Sequence, residues 1–132
     1  MLVSTRGRYA LRVMIDLAEH NTGEYIPLKE ISDRQNISKK YLESIIALLV
    51  KENLLEGLRG KGGGYKLVKK PEEYTLRSIL RLTEETLAPV NCLSKDKNTC
   101  QRAAECKTLP VWSKLDNLIN DYLESVTIAQ LT

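Results

Sequence analysis

A chain of 132 residues with 42% apolar side chains can bury one real core and is too short for several. Its net charge of +3 is unevenly spread: residues 1–71 carry 13 Lys or Arg against 8 Asp or Glu, and residues 72–132 carry 7 against 9. A polyanionic partner is therefore expected at the N-terminal half. No run of 18 apolar residues occurs, and Arg6 and Arg8 follow directly on Met1-Leu2-Val3-Ser4. The expectation is a cytoplasmic protein with no membrane partner and no secretory leader.

The first helix is expected from Thr5 to His20, with a broad apolar face through Tyr9, Val13, Ile15 and Leu17, and Asn21-Thr22-Gly23 stopping it. Ile26-Pro27-Leu28 opens a short second helix through Arg34, with proline in the first turn where its missing N–H costs nothing. Gln35-Asn36-Ile37 breaks that helix, and Ser38 caps a third that reaches about Glu52, with Leu42, Ile45, Ile46 and Leu49 at i, i+3, i+4 and i+7. Two helices around so tight a break match a helix-turn-helix whose second helix enters the major groove. Its N-terminal residues Ser38, Lys39, Lys40, Tyr41 and Glu43 then face base edges, Glu43 as an acceptor for the cytosine amino group. Arg6 and Arg8, with the hydroxyls of Thr5 and Tyr9, are placed for phosphate contacts.

Leu54 to Pro71 reads as a hairpin whose tip, Arg59-Gly60-Lys61-Gly62-Gly63-Gly64, is all glycine and cation. Glycine permits positive φ and lets backbone N–H groups approach a surface, which suits phosphate. A flexible turn would use glycine as well, but directly after a recognition helix the hairpin reads as a wing. Arg59 is the residue expected to enter a narrow minor groove.

A helix is expected from Tyr74 to Glu85, followed by a polar loop holding Cys92, Cys100 and Cys106 in a C-x7-C-x5-C pattern. Thiolates are soft ligands suited to iron-sulphur clusters or zinc. Cys106 precedes the next helix, whose positive end favours a thiolate or an anionic cluster. A structural zinc site usually wants four ligands and often a C-x2-C pair, which is missing. The last helix, from Leu109 to Thr127, carries Val111, Trp112, Leu115, Leu118, Ile119, Tyr122, Leu123 and Val126 on one wide stripe. So wide a stripe suits a second subunit, since operator readers are commonly two-fold symmetric.

These elements form a mainly α fold with a small β-hairpin. A winged helix-turn-helix domain spans residues 1–74, a connecting helix 75–91, a cysteine-bearing sensor loop 92–107, and a long dimerisation helix with its tail 108–132. One histidine, no Ser-His-Asp set and neither nucleotide-loop motif leave catalysis without evident groups, so no enzyme is expected. An RNA-binding winged helix stays open, since basic wings can also follow RNA backbones.

The order STRGRYALR, ISDRQNISKKYLE and LRGKGGGYKL over nearly the whole chain resembles the bacterial winged helix-turn-helix regulators of the IscR, NsrR and CymR family, most of all the cysteine-bearing IscR-like branch. The resemblance implies a homodimeric transcriptional repressor on a palindromic double-stranded operator. It carries DNA contacts onto Ser38, Lys40, Tyr41, Glu43, Arg59 and the wing glycines Gly60, Gly62 and Gly63, beside Lys61. It also implies a [2Fe-2S] or [4Fe-4S] cluster, [2Fe-2S] by preference, on Cys92, Cys100 and Cys106. IscR places a histidine three residues after its last ligand cysteine, where this chain has Leu109, and NsrR-like proteins draw a carboxylate from the partner's first helix, where this chain has Arg8 and Arg12. The fourth ligand is therefore unassigned; Asn91, Asp96 and Glu105 stand equal, and His20 reads as a surface residue. Control by thiol redox or by a protein partner is the alternative.

Overall fold

A computed structural model of the chain describes residues 2–94 and 100–132. Helices α1 (Thr5–Glu19), α2 (Leu28–Gln35) and α3 (Lys39–Lys51) precede a two-stranded antiparallel sheet of β1 (Leu55–Leu58) and β2 (Gly64–Leu67). Helices α4 (Leu76–Thr83) and α5 (Leu109–Ser125) complete the chain, with short 3-10 turns at Pro71–Glu73, Asn91–Leu93 and Ile128–Leu131. The expected mainly α fold with a small hairpin is what forms.

Each of the first three helices follows from its caps and its stripe. Ser4 accepts the Gly7 N–H at 3.0 Å and starts α1, which buries Ala10, Val13, Met14 and Leu17. Ser38 accepts the Tyr41 N–H at 3.2 Å and starts α3, where Leu42, Ile45, Ile46 and Leu49 are wholly buried. Each such side chain contributes about 1.5–3 kcal/mol through removal from water. Between them Asn36 takes a left-handed φ of 53°, which only a few residue types tolerate, and turns the chain from α2 into α3.

The second helix starts later than its sequence suggests. Pro27 is its N-cap in an extended conformation, and Ile26 belongs to the wing: its N–H and carbonyl each bond Tyr65 at 2.9 Å. That bridge explains Gly64, because a Cβ there would lie 2.2 Å from the Ile26 carbonyl oxygen. The wing thus has a third strand of one residue, anchored to the base of α2.

The chain's last residues return to the core. After α5, Leu76 N–H donates to the Val126 carbonyl and Ile128 N–H to the Tyr74 carbonyl, both at 2.9 Å, and Ile128 is fully buried. The tail that follows α5 thus packs against residues at the base of α4. Tyr74, 2% exposed, is not the first residue of a helix but a bolt: its hydroxyl donates to the Leu54 carbonyl at 2.7 Å and accepts the N–H groups of Val68 at 3.0 Å and Lys69 at 2.9 Å. At the other end of α4, Glu84 accepts both the backbone N–H and the hydroxyl of Ser4, tying α4 to the start of α1.

Two stability predictions follow from these ties. Tyr74→Phe leaves three backbone groups short of a partner and should lower unfolding free energy by roughly 1–3 kcal/mol in urea titration. For Glu84, burial raises the carboxyl pKa but the Ser4 hydrogen bonds outweigh it and hold it below its ordinary value. A depressed folded pKa stabilises above the unfolded value and is lost as pH falls through the folded one. Glu84→Gln should accordingly destabilise at neutral pH, and its thermal melt should converge with the parent's once pH drops well below about 4.

Candidate nucleic-acid interface and cysteine loop

At the start of α3, Ser38, Lys39, Lys40, Tyr41 and Glu43 are all exposed, Tyr41 at 40%. Their helix is held from below by its buried stripe, so these side chains are presented on a rigid support. Neither Lys40 nor Glu43 forms a salt bridge among the described residues. Arg59 and Lys61 at the wing tip are likewise exposed and without a salt bridge there. Lys66 differs: it pairs with Glu56 at 3.2 Å and lies 4.6 Å over the Tyr25 ring, which assigns it to holding the hairpin together. Gly63 also serves the hairpin, since a Cβ would come within 2.3 Å of the Leu58 carbonyl oxygen; Gly60 and Gly62 are exposed at the tip.

Near the start of α1, Arg6 and Arg8 are exposed, and Arg8 donates to the Thr5 hydroxyl at 3.0 Å. Tyr9 is half-buried with its ring edge-on to Tyr41, centroids 5.5 Å apart at 76°. Helices α1 and α3 are thereby in aromatic contact.

A network that the sequence reading missed lies behind this contact. Asp16, 1% exposed, accepts from Arg34 Nε at 3.0 Å, Arg34 Nη2 at 2.8 Å and Gln35 Nε2 at 2.9 Å. Gln35 Oε1 in turn accepts from Arg12 Nε at 3.1 Å, the Gln35 carbonyl accepts from Arg12 Nη2, and the Arg12 guanidinium lies 5.1 Å from the Tyr9 ring centroid. The signal was available: an acid between Val13 and Leu17 on a core-facing stripe demands a partner. His20 sits at the end of α1 with Nδ1 2.8 Å from the Asp16 carbonyl oxygen.

In the loop, Cys92 lies on the Asn91–Leu93 turn and is half-buried, as is Cys106; Cys100 is exposed. Cys100 and Cys106 border one cavity of about 420 Å³ with Arg102, Glu105, Lys107 and Thr108, which Cys92 does not reach. Among the described residues no three His, Cys, Asp or Glu side chains gather as a metal site. Of the fourth-ligand candidates, Glu105 borders the cavity, Asn91 stands beside Cys92, and Asp96 lies outside the described residues. The Thr108 hydroxyl, 3.5 Å from the Cys106 sulphur, holds that thiol below its ordinary pKa, aided by the Thr108 and Leu109 N–H groups at the start of α5 and by Arg102.

The stripe on α5 divides in two. Val111, Leu115, Leu118 and Tyr122 are 58%, 38%, 57% and 66% exposed, at the 4-3-4 spacing of a helix-pairing seam. Trp112, Ile119, Leu123 and Val126 are half-buried. Asn120, among them in the chain, accepts from Arg77 of α4 at 3.0 Å.

The profile of the Rrf2 family, described as iron-dependent transcriptional regulators, matches residues 3–132. A Neisseria meningitidis protein provisionally described as an HTH-type transcriptional regulator is 39% identical over 131 residues, covering 99% of this chain and 87% of that one. Two solved structures share the fold. CymR, the global cysteine regulator of B. subtilis, has a TM-score of 0.80 and 30% identity, covering 99% of this chain and 95% of its own. IscR of T. potens has a TM-score of 0.77 and 34% identity, covering 99% and 85%.

Alkylation of the three thiols gives a direct check on the loop. Cys106 should react with iodoacetamide at a lower pH than an ordinary thiol, and Thr108→Val should move its midpoint upward, as read by peptide mass spectrometry across a pH series.

Proposed function

From the premise that this chain belongs to the Rrf2 family of transcriptional regulators, and is therefore a DNA-binding regulator and no enzyme, we propose a homodimer that represses from a palindromic operator in the cytoplasm. The observation that carries the reading is the Ser38-capped helix, whose exposed Lys39, Lys40, Tyr41 and Glu43 lead through one helix into an exposed Arg59–Lys61 wing tip. Among the described residues no helix is long and apolar enough to cross a membrane.

In this reading the roles divide by chemistry. Ser38, Lys40, Tyr41 and Glu43 read base edges in the major groove, and Arg59 enters the minor groove with Gly60, Lys61, Gly62 and Gly63 around it. Thr5, Arg6, Arg8, Tyr9 and Lys39 set the register on phosphates. Val111, Leu115, Leu118 and Tyr122 meet the same residues of a second copy across a two-fold axis, with Trp112, Ile119 and Val126 bracing the helix from its own side.

An iron-sulphur cluster suits thiolate donors such as Cys92, Cys100 and Cys106, the last with its thiolate favoured and Arg102 beside it, and would need Cys92 brought to the cavity that Cys100 and Cys106 border. When bound, such a cluster supplies a redox- and iron-sensitive group whose presence the protein can report. Its ligands lie between α4, tied to α1 through Glu84 and Ser4, and α5, which carries the dimer seam. Occupancy can thus bias the spacing of the two DNA-binding halves, and ~1–3 kcal/mol of bias changes operator affinity about 5- to 150-fold. The likeness to CymR and the favoured Cys106 thiolate support a second reading, a thiol switch in the same loop.

Three measurements test these assignments. Protein purified without oxygen should carry iron and a visible charge-transfer absorbance; a colourless, iron-free preparation selects the thiol switch. Arg59→Ala should cost roughly 1–3 kcal/mol and relax preference at one base position, whereas Arg8→Ala should weaken every sequence alike and flatten the salt slope by about one. Leu118→Asp should give monomers in sedimentation, with much weaker operator binding.

A further inference from the structure

We propose that Arg12 is a positioning residue for sequence readout, acting through Tyr9 on Tyr41. The inference rests on the DNA-binding reading above. It gives a role to a cation whose partners are Gln35 and the Tyr9 ring.

The chain of contacts is continuous and anchored. Asp16 is 1% exposed in the middle of α1 and receives Gln35 Nε2 at 2.9 Å. That fixes the amide so that its oxygen faces Arg12 Nε at 3.1 Å. A second bond from Arg12 to the Gln35 carbonyl leaves the guanidinium little freedom. Its Cζ is thereby kept 5.1 Å from the Tyr9 centroid, and the Tyr9 ring meets the Tyr41 ring edge-on at 5.5 Å. Tyr41 is the only one of these residues that belongs to the recognition helix, and it is 40% exposed.

The chemistry selects arginine over other cations. A guanidinium can use one edge for a glutamine side chain and carbonyl while its face or rim lies on an aromatic ring. An ammonium has no such plane, so lysine would keep the charge and lose the arrangement. Side chains that read bases must be held within about 0.5 Å by packed neighbours. Tyr41 is 40% exposed and its ring meets Tyr9 edge-on, and the Tyr9 ring in turn has the Arg12 guanidinium beside it. With two of its nitrogens donating to Gln35, the guanidinium is engaged inward. A role as a free phosphate contact would need those donors released.

The test compares Arg12→Ala, Arg12→Lys, Tyr41→Ala and the double variant Arg12→Ala with Tyr41→Ala in the full chain. The probes are the duplex that the parent protein selects from a random-sequence pool and an unrelated duplex of the same length, each over a salt series. Both Arg12 variants should lower the ratio of selected to unrelated affinity about three- to tenfold, with the salt slope unchanged. The double variant should be no worse than Tyr41→Ala alone, because the two residues act as one unit. Should Arg12→Ala fail to fold in a thermal melt, Arg12→Lys carries the same cycle. A normal ratio in Arg12→Lys, with the salt slope flattened by about one in Arg12→Ala, would make Arg12 a phosphate contact and overturn the proposal. Additive losses, or no loss from Tyr41→Ala, overturn it as well. A parent protein that selects no duplex refutes the DNA-binding reading instead.

Discussion

One buried carboxylate sets how α1, α2 and the start of α3 meet. Asp16 stands in a stripe that is otherwise apolar and fully buried, and an unpaired charge there would cost more than the stripe could tolerate. Its partners come from the last turn of α2, Arg34 with both of its bonds and Gln35 with one. The two helices can satisfy Asp16 only at one angle and one translation. Since Asn36 turns the chain at once into α3, that angle also decides where α3 begins. Arg34 is 31% exposed by side chain, so it keeps contact with water while its charge neutralises the acid. Such a pair contributes more to choosing one arrangement than to net stability.

The second constraint is closure. A two-stranded hairpin has marginal stability by itself, and this wing gains its support from outside. Ile26 adds a pair of backbone bonds to one edge, and the Tyr74 hydroxyl gathers Leu54, Val68 and Lys69 at the base. The backbone of Tyr74 in turn receives Ile128 from the far end of the chain. The residues that follow the proposed dimer helix are therefore structurally continuous with the base of the wing. A change in the direction of α5 has a short, hydrogen-bonded route to the DNA-facing elements, which loops alone would not provide.

The cysteine loop stands between two firm attachments. On one side α4 is fastened to the start of α1 by Glu84 and Ser4; on the other, α5 begins at the N–H groups that favour the Cys106 thiolate. A group bound by these thiols would act on two helices whose other ends are already committed. Val111, Leu115, Leu118 and Tyr122 put four exposed large apolar side chains on one face of α5, which accords with a second copy seated there.

By itself the sequence determined the main elements whose cause is local. Ser38 caps a helix because a hydroxyl can satisfy the first free N–H groups. The four-residue apolar stripe of α3 and the glycine-cation tip are likewise legible from spacing alone, as are the wing, the helix-turn-helix and the presence of three thiols. What it did not show were contacts between residues far apart in the chain. Ile26 read as the start of a helix because its pairing with Tyr65 spans a distance that no periodicity records. Tyr74 read as the start of another helix because its three partners lie on the wing. The wide stripe of α5 read as one face, yet packing against α4 divides it into a half-buried side and an exposed one. Arg12 read only as a cation in place of a carboxylate ligand, and its bonds to Gln35 and its place beside Tyr9 are long-range contacts. Local propensity and capping act within about four residues, and the sequence states them openly. The pairing of a buried charge, the docking of a tail and the choice of which apolar face stays open depend on which surfaces meet, and only the tertiary structure decided those.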